Sequence, residues 1–503
     1  MASSTKSRSG VRAKTFAYEN FQGLDTSRDR TSQDTGKNQH LAKLVNGTAD
    51  WRGQIVRDPA HKFRKGGFKV NHVAFFGINE VCWVEETGSG LTFRSERDHS
   101  LADVHPTAAI VSSTVFNQAV HFAARFRPMY HYDGTRFARN QSPSLNELRP
   151  AYTTSIQRRL AVAGIPGKET QVHISRVDDE EIFPDDEDPT STNVLRAGYI
   201  DIANLLGTAD QITGLASFEQ NRMVVFTADR SFIYIIDPDI DKWVIDDTAN
   251  INIGCISHNT ITNAGTDLLF CSRSGIHSIK RSEDNGILVY SYSLSDKIDL
   301  LFRELFNSVE NPETLSAVFD QDTAQYHVFF PQPGGALCKR LTLAMNPEGG
   351  QAIPKFSEGD FLNSRCGAFL GGNLVFGTPG GVYSVLKVET DDPDAYTPDM
   401  EVVTPLLWHG SLEDTKETQS VIVQAAGKGK ITVDAQDDDG RTLGSLYIEV
   451  DDDPDDNYFF DVPLSRQYER KWSHRYRAAQ YRVKISGGGG LLRLIGFAVT
   501  VRT

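Results

Sequence analysis

Short runs rich in β-branched and aromatic residues, each bounded by Gly, Asp, Asn or Pro, recur from about residue 66 onward and restrict the fold most. Examples are VNHVAFFG (70 to 77), AVHFAARF (119 to 126), RMVVFTADRSFIYIID (222 to 237), DLLFCSRSGIHSIKR (267 to 281), QYHVFFP (325 to 331) and NLVFGTPGGVYSVLK (373 to 387). Such runs read as strands, because branched and aromatic side chains pack well on a pleated surface and the flanking residues form turns. They also recur as units: a polar turn, an LVF or VVF strand, a second turn, then an Ile-Tyr, Ile-His or Val-Tyr strand. Three such units begin near 217, 263 and 368, and looser ones near 70, 109, 154 and 315. Spacings of about 40 to 60 residues in an all-β chain predict the blades of a degenerate β-propeller. The pattern leaves the blade count open.

One segment breaks the β pattern. After Leu294-Ser295-Asp296, Ile298, Leu301, Phe302 and Leu305 fall on one helical face behind Ser295, a candidate N-cap, and predict a short amphipathic helix. From about Val403 the strands lengthen and alternate, as in SVIVQAAGKGKITVDAQ, with DDDG and GGGG turns between them. That part reads as an antiparallel β-sandwich. The expected organisation is a polar N-terminal arm over 1–60, a propeller with acidic insertions over 61–400, and a C-terminal sandwich over 401–503. The insertions are VDDEEIFPDDEDPTS (177 to 191) and VETDDPDAYTPD (388 to 399). The arm has few apolar anchors and cannot fold alone. Its tip carries Lys6, Arg8, Arg12 and Lys14, which suit either a solvated tail or an assembly arm docking on an acidic neighbour or touching nucleic acid.

A chain of 503 residues can bury several cores, and its 66 acidic against 52 basic residues leave a net charge of −14. That balance argues against a surface that grips phosphates throughout. No run reaches the roughly 18 apolar residues of a membrane span, and no apolar segment follows the basic N-terminus, so neither signal peptide nor membrane anchor is expected. Cys82, Cys255, Cys271, Cys338 and Cys366 lie far apart in apolar stretches and read as buried thiols of a reducing compartment.

Motifs for chemistry are missing. HExxH, GxSxG and the kinase set do not occur, and GIPGKET (164 to 170) fails as a phosphate loop because Glu169 takes the Ser/Thr place. An EF-hand count from Gly440 puts Ala435 and Leu446 where acids are needed, so DDDG reads as a hairpin turn. The thirteen histidines form no pair at a spacing of two to four. No catalytic, cofactor-binding or metal residue is therefore assigned, no cofactor is expected, and no enzyme activity. A glycosidase carboxylate pair facing across a propeller cleft stays open, although the sialidase Asp-box is absent.

The stretch NELRPAYTTSIQRRLAVAGIPGKETQVHISRVDDEEIF (146 to 183) is followed by YIDIANLLGTADQITGLASFEQNRMVVFTADRSFIYIID. Then comes INIGCISHNTITNAGTDLLFCSRSGIHSIKR, with an Ile-Gly step, an Asn-Thr-type strand and the turn Ser274-Gly275-Ile276. That order resembles the propeller region of the tail nozzle, or tail tubular protein B, group of short-tailed bacteriophages and the related packaged-DNA stabilisation hub proteins. WHGSLEDTKETQSVIVQAAGKGKITVDAQDDDGR (408 to 441) and AAQYRVKISGGGGLLRLIGFAVTVR (478 to 502) are similar to the terminal sandwich of that group. The resemblance covers about 150 to 503, and more loosely 60 to 150. The group's asparagine-leucine opening strand does not align with 15 to 60, which leaves the docking mode of the arm open.

The resemblance implies a structural virion protein, made in the host cytoplasm and placed in the tail. It would form a homohexameric ring below the tail adaptor or head-to-tail connector, near tail fibres, and retain and then conduct the genome. DNA would pass without specific binding, since each neutralised phosphate adds affinity and so friction; which residues face the lumen is unknown. Segments reaching to neighbours lock such rings, so residues 1 to 60 are expected to order only in the assembly. A propeller-type tail protein that binds or cleaves host glycans is the alternative, and a cellular propeller scaffold a further one.

Overall fold

A computed structural model describes residues 13–27, 39–50, 52–67, 69–88, 90–104, 110–188, 190–206, 210–246, 251–265, 267–281, 288–290, 293–333, 338–345, 354–387, 394–409, 415–450, 466–487 and 492–502. Strand outweighs helix by 58% to 9%, so the chain is all-β. It divides into two units, one of residues 62–349 and 360–385, the other of residues 1–61, 350–359 and 386–503.

The first unit is a propeller of seven antiparallel sheets. Its innermost strands are Val70–Phe76, Val111–Phe116, Tyr152–Ile156, Ile212–Phe218, Thr262–Ala264, Ser316–Asp320 and Cys366–Leu370, here called the inner strands of blades 1 to 7. Each inner strand lies against that of the next blade or the turn leading into it, and the seventh lies against the first, so the ring closes. The core sits between facing blades. Phe93, Phe122 and Tyr132 fill the gap between blades 1 and 2; Ile174, Met223 and Phe232 fill that between 3 and 4; Phe226 and Phe270 meet between 4 and 5. Period-2 alternation would bury one face only, but blade strands bury both, which is why Arg159–Ala163 and Ala119–Ala124 are buried along their whole length.

Closure uses chain from both ends of the unit. Blade 7 is built from Cys366–Leu370, Asn373–Thr378 and Gly381–Leu386, and its next strand is supplied by residues up to Gly66 from the start of the unit. Phe63 packs edge-on against Tyr383 at 5.4 Å. The expected helix forms as a 3-10 turn, Asp296–Ile298, running into the α-helix Asp299–Asn307. Phe302 and Leu305 are buried, and Phe302 meets Phe330 of blade 6. Ser295 does not cap it: its Oγ accepts from Ile276 N at 3.0 Å, a more enclosed donor. Among the described residues no helix is long and apolar enough to cross a membrane.

The second unit is a two-sheet sandwich. One sheet runs Arg466–Tyr476, Lys416–Ala426, Arg493–Arg502, Ile55–Arg57 and Gly47–Ala49, with Ala13–Glu19 paired to the free flank of Arg493–Arg502. Within this unit the other sheet runs Lys355–Gly359, Lys43–Val45, Met400–Val403, Ala479–Ser486, Gly429–Asp437 and Thr442–Val450. Val423, Val433, Tyr481, Val483 and Val499 are buried between them. Here the structure corrects the expected 1–60 arm. From Ala13, the described part is strand, Ala13 facing Arg502 and Glu19 facing Gly496, within a single chain. Backbone hydrogen bonding recruits this polar segment, which lacks the apolar pattern that sequence reading relies on. Residues 354–359, 386–387 and 394–400 likewise belong with the sandwich and not with the 61–400 propeller.

Two adjacent glycines test closure. A Cβ on Gly381, at φ +143°, would lie 2.4 Å from Lys65 O on the closing strand, whereas one on Gly380 would meet nothing nearer than 3.9 Å. Gly381→Val is expected to destabilise the propeller by about 1–3 kcal/mol, and Gly380→Ala to leave the urea midpoint near wild type. Equal midpoints would show that closure does not depend on this approach.

Candidate functional site

A propeller gathers its seven inner strands around one axis, the place where any site shared by several blades must lie. The inner strand of blade 5 is short, because the preceding residues turn inward as a 3-10 turn, His258–Thr260. The expected Asn-Thr-type strand is therefore a turn. Leu215 N of blade 4 donates to His258 Nδ1 at 3.2 Å. Tyr152 of blade 3 stacks on the His258 ring at 5.3 Å. Tyr326 OH of blade 6 donates to Thr260 O at 2.5 Å. Asn259 Nδ2 donates to Val111 O at 2.8 Å, reaching the inner strand of blade 2, three blades away, and so crossing the axis. Ser257 Oγ, in turn, donates to Glu313 O and Leu315 O at the entry to blade 6. The axis is thus occupied by a plug that several blades hold.

Uncharged groups dominate its chemistry. His72 of blade 1 meets Ser113 Oγ at 2.7 Å, and Thr114 Oγ1 donates to Ser155 Oγ at 3.3 Å. Burial holds His72 down to about 4, and burial together with the charge of His72 holds His258 down to about 3. Both are neutral at pH 7, and His258, accepting at Nδ1, carries its proton on Nε2. Glu313, the acid brought to the plug, is ion-paired with Arg125. Among the described residues the plug offers hydrogen bonds and no free carboxylate pair of the kind glycoside cleavage uses.

Of the arm residues, Lys6, Arg8 and Arg12 lie outside the described residues. Lys14 is exposed on Ala13–Glu19 with its ammonium 5.0 Å over the Phe16 ring. The insertion from 177 is anchored: Asp178 pairs with Arg158, Glu187 with Arg176 at 2.6 Å and Asp185 with Lys168 at 3.0 Å. Asp186 accepts from Ser142 Oγ and Ser144 Oγ. Half of the other insertion, 388–393, lies outside the described residues. DDDG is a hairpin turn, with Gly440 N donating to Asp437 O. The carboxylates of Asp437, Asp438 and Asp439 converge within 4.8 Å there, but Asp438 and Asp439 are exposed and Asp437 also accepts from Arg441 N. All five cysteines are buried and unbridged, and burial pushes Cys255 up to about 11 and Cys271 up to about 12. Sequence reading missed the plug; its one signal is the polar run SHNT between apolar strands.

No family model matches the chain, and no curated protein matches it. Solved structures similar to it are propellers of unlike function. Virginiamycin B lyase from Staphylococcus aureus has 10% identity over 64% of this chain and 96% of that one, with a TM-score of 0.40. BamB from Moraxella catarrhalis has 9% identity over 68% and 92%, with a TM-score of 0.32. YCF48 from Cyanidioschyzon merolae has 12% identity over 65% and 98%, with a TM-score of 0.34.

The neutral plug has a pH signature. A buried histidine whose folded pKa lies below the ordinary value near 6.5 stabilises the fold fully above that value, and the contribution is lost as pH falls toward the folded pKa. His258→Asn is expected to flatten the acid side of the stability profile, measured as urea midpoints from pH 7 to pH 4, without abolishing it, because His72 and other buried histidines remain. An unchanged slope would show that His258 is not held neutral.

Proposed function

We propose that this chain is a structural protein of a bacteriophage tail, one copy of a homohexameric nozzle or hub below the tail adaptor that retains and then conducts the genome. The observation that supports this reading best is the presence of two bodies, a degenerate propeller and a long-stranded sandwich that takes most of its strands from after it, together with the strand series that resembles the nozzle and hub group. Under this reading the protein catalyses no reaction. Under this reading DNA would move between copies and not through a propeller, in keeping with a plugged propeller axis. A net charge of −14 per chain, multiplied in a ring, gives acid for a lining that repels the duplex and lets it slide.

Light scattering and negative-stain imaging of the full-length protein, alone and mixed with tail adaptor, test this. A closed ring in which copies surround an open lumen is expected. A monomer that refuses every virion partner would remove the proposal and favour the glycan-binding or glycan-cleaving alternative, to be assayed on host-surface polysaccharide.

A further inference from the structure

Blade 2 brings together two imidazoles that the linear sequence keeps apart. His121 lies on its second strand, Ala119–Ala124, and His131 on its third, Tyr130–Tyr132, directly opposite in the antiparallel register. Their ring centroids are 5.7 Å apart with planes at 40°. Thr114 of the inner strand faces His121 from the other side, so a hydroxyl and two imidazoles form one row across the blade. His121 is 0% exposed. One ring nitrogen of His121 faces the Phe116 carbonyl, while the other has no hydrogen-bond partner, and neither does Nδ1 of His131. Buried polar groups without partners are rare, and leaving one unsatisfied costs about 1–3 kcal/mol. Two such nitrogens, one on each of two neighbouring rings, therefore suit a ligand that accepts lone pairs.

We infer that His121 and His131 form a binding site for an imidazole-preferring divalent transition ion, of which Zn²⁺ is the reference case. Geometry supports it. A Zn–N bond of about 2.0–2.1 Å plus the ring radius places each centroid about 3.1 Å from the ion, so two rings stand about 5.1 Å apart at a tetrahedral angle and about 6.3 Å apart in line. The observed 5.7 Å falls between these limits. The remaining positions would fall to water. The exposed Asp437–Asp439 hairpin lacks these features: it offers hard oxygens in water, and no imidazole. The search for histidines at a spacing of two to four could not find this pair, because cross-strand neighbours on a hairpin are separated by the loop between them.

The test uses the full chain after chelation, titrated calorimetrically with Zn²⁺ in an Asp438→Asn, Asp439→Asn background that disables the acidic hairpin. One equivalent per chain is expected, with a rise in the melting temperature that disappears in His131→Asn and His121→Asn. Metal-free urea midpoints of both variants serve as folding controls. Should either variant fail to fold, zinc-edge X-ray absorption of the otherwise unaltered chain decides, with two imidazoles per zinc expected. Failure to bind zinc, a spectrum of oxygen donors alone, or binding undiminished in a folded His131→Asn chain would overturn the site and leave a bridging water as the partner of these rings. None of these outcomes depends on whether the protein forms a ring.

Discussion

The propeller depends on one constraint: seven sheets packed face to face around an axis must close, or two blades would each present a bare apolar face to water. Closure here is a backbone event, the pairing of residues up to Gly66 with Gly381–Leu386, fastened by Phe63 on Tyr383. The hydrophobic effect supplies the bulk of the stability, in clusters such as Val73, Trp83 and Val375 between blades 7 and 1. Each cluster needs both of its blades, so the few hydrogen bonds of the closing strand govern a far larger apolar area than they cover.

The propeller was largely legible in the sequence. The seven unit starts, near 70, 109, 154, 217, 263, 315 and 368, fall at or near inner strands beginning at 70, 111, 152, 212, 262, 316 and 366. Turn residues and β-branched runs are local signals, and a blade is a local structure. Pairings between distant segments were not legible. Ala13–Glu19 reads as AKTFAYE, too polar for a core strand, and joins a sheet through its backbone with only Tyr18 buried against Phe497. His258 and Asn259 acquire a role only because blades 2, 3 and 4 bring acceptors, a ring and a donor to one axis. His121 and His131 look scattered until the hairpin between them is folded.

Charge is managed in two opposite ways. In the insertion after Val177 the acids Asp178, Asp185 and Glu187 are paired in place with Arg158, Lys168 and Arg176, which turns a run of like charges into an ordered loop. At the axis charge is largely excluded: histidines stay neutral, hydroxyls and amides make the cross-links, and the ion pair of Arg125 with Glu313 is self-contained. An uncharged plug suits a low-dielectric centre, since an isolated ion there would cost more than its hydrogen bonds return.

The sandwich unit sets a timetable for folding. Its strand Ala13–Glu19 is made long before its partner Arg493–Arg502, so their pairing cannot form until the partner has been synthesised. The propeller segments lie between them in the chain and can assemble blade by blade from local hairpins while the early strand waits unpaired. A ribosome that stalls before residue 493 would therefore release a chain able to close its ring of blades yet carrying a solitary edge strand, the kind of segment that chaperones and aggregates both capture.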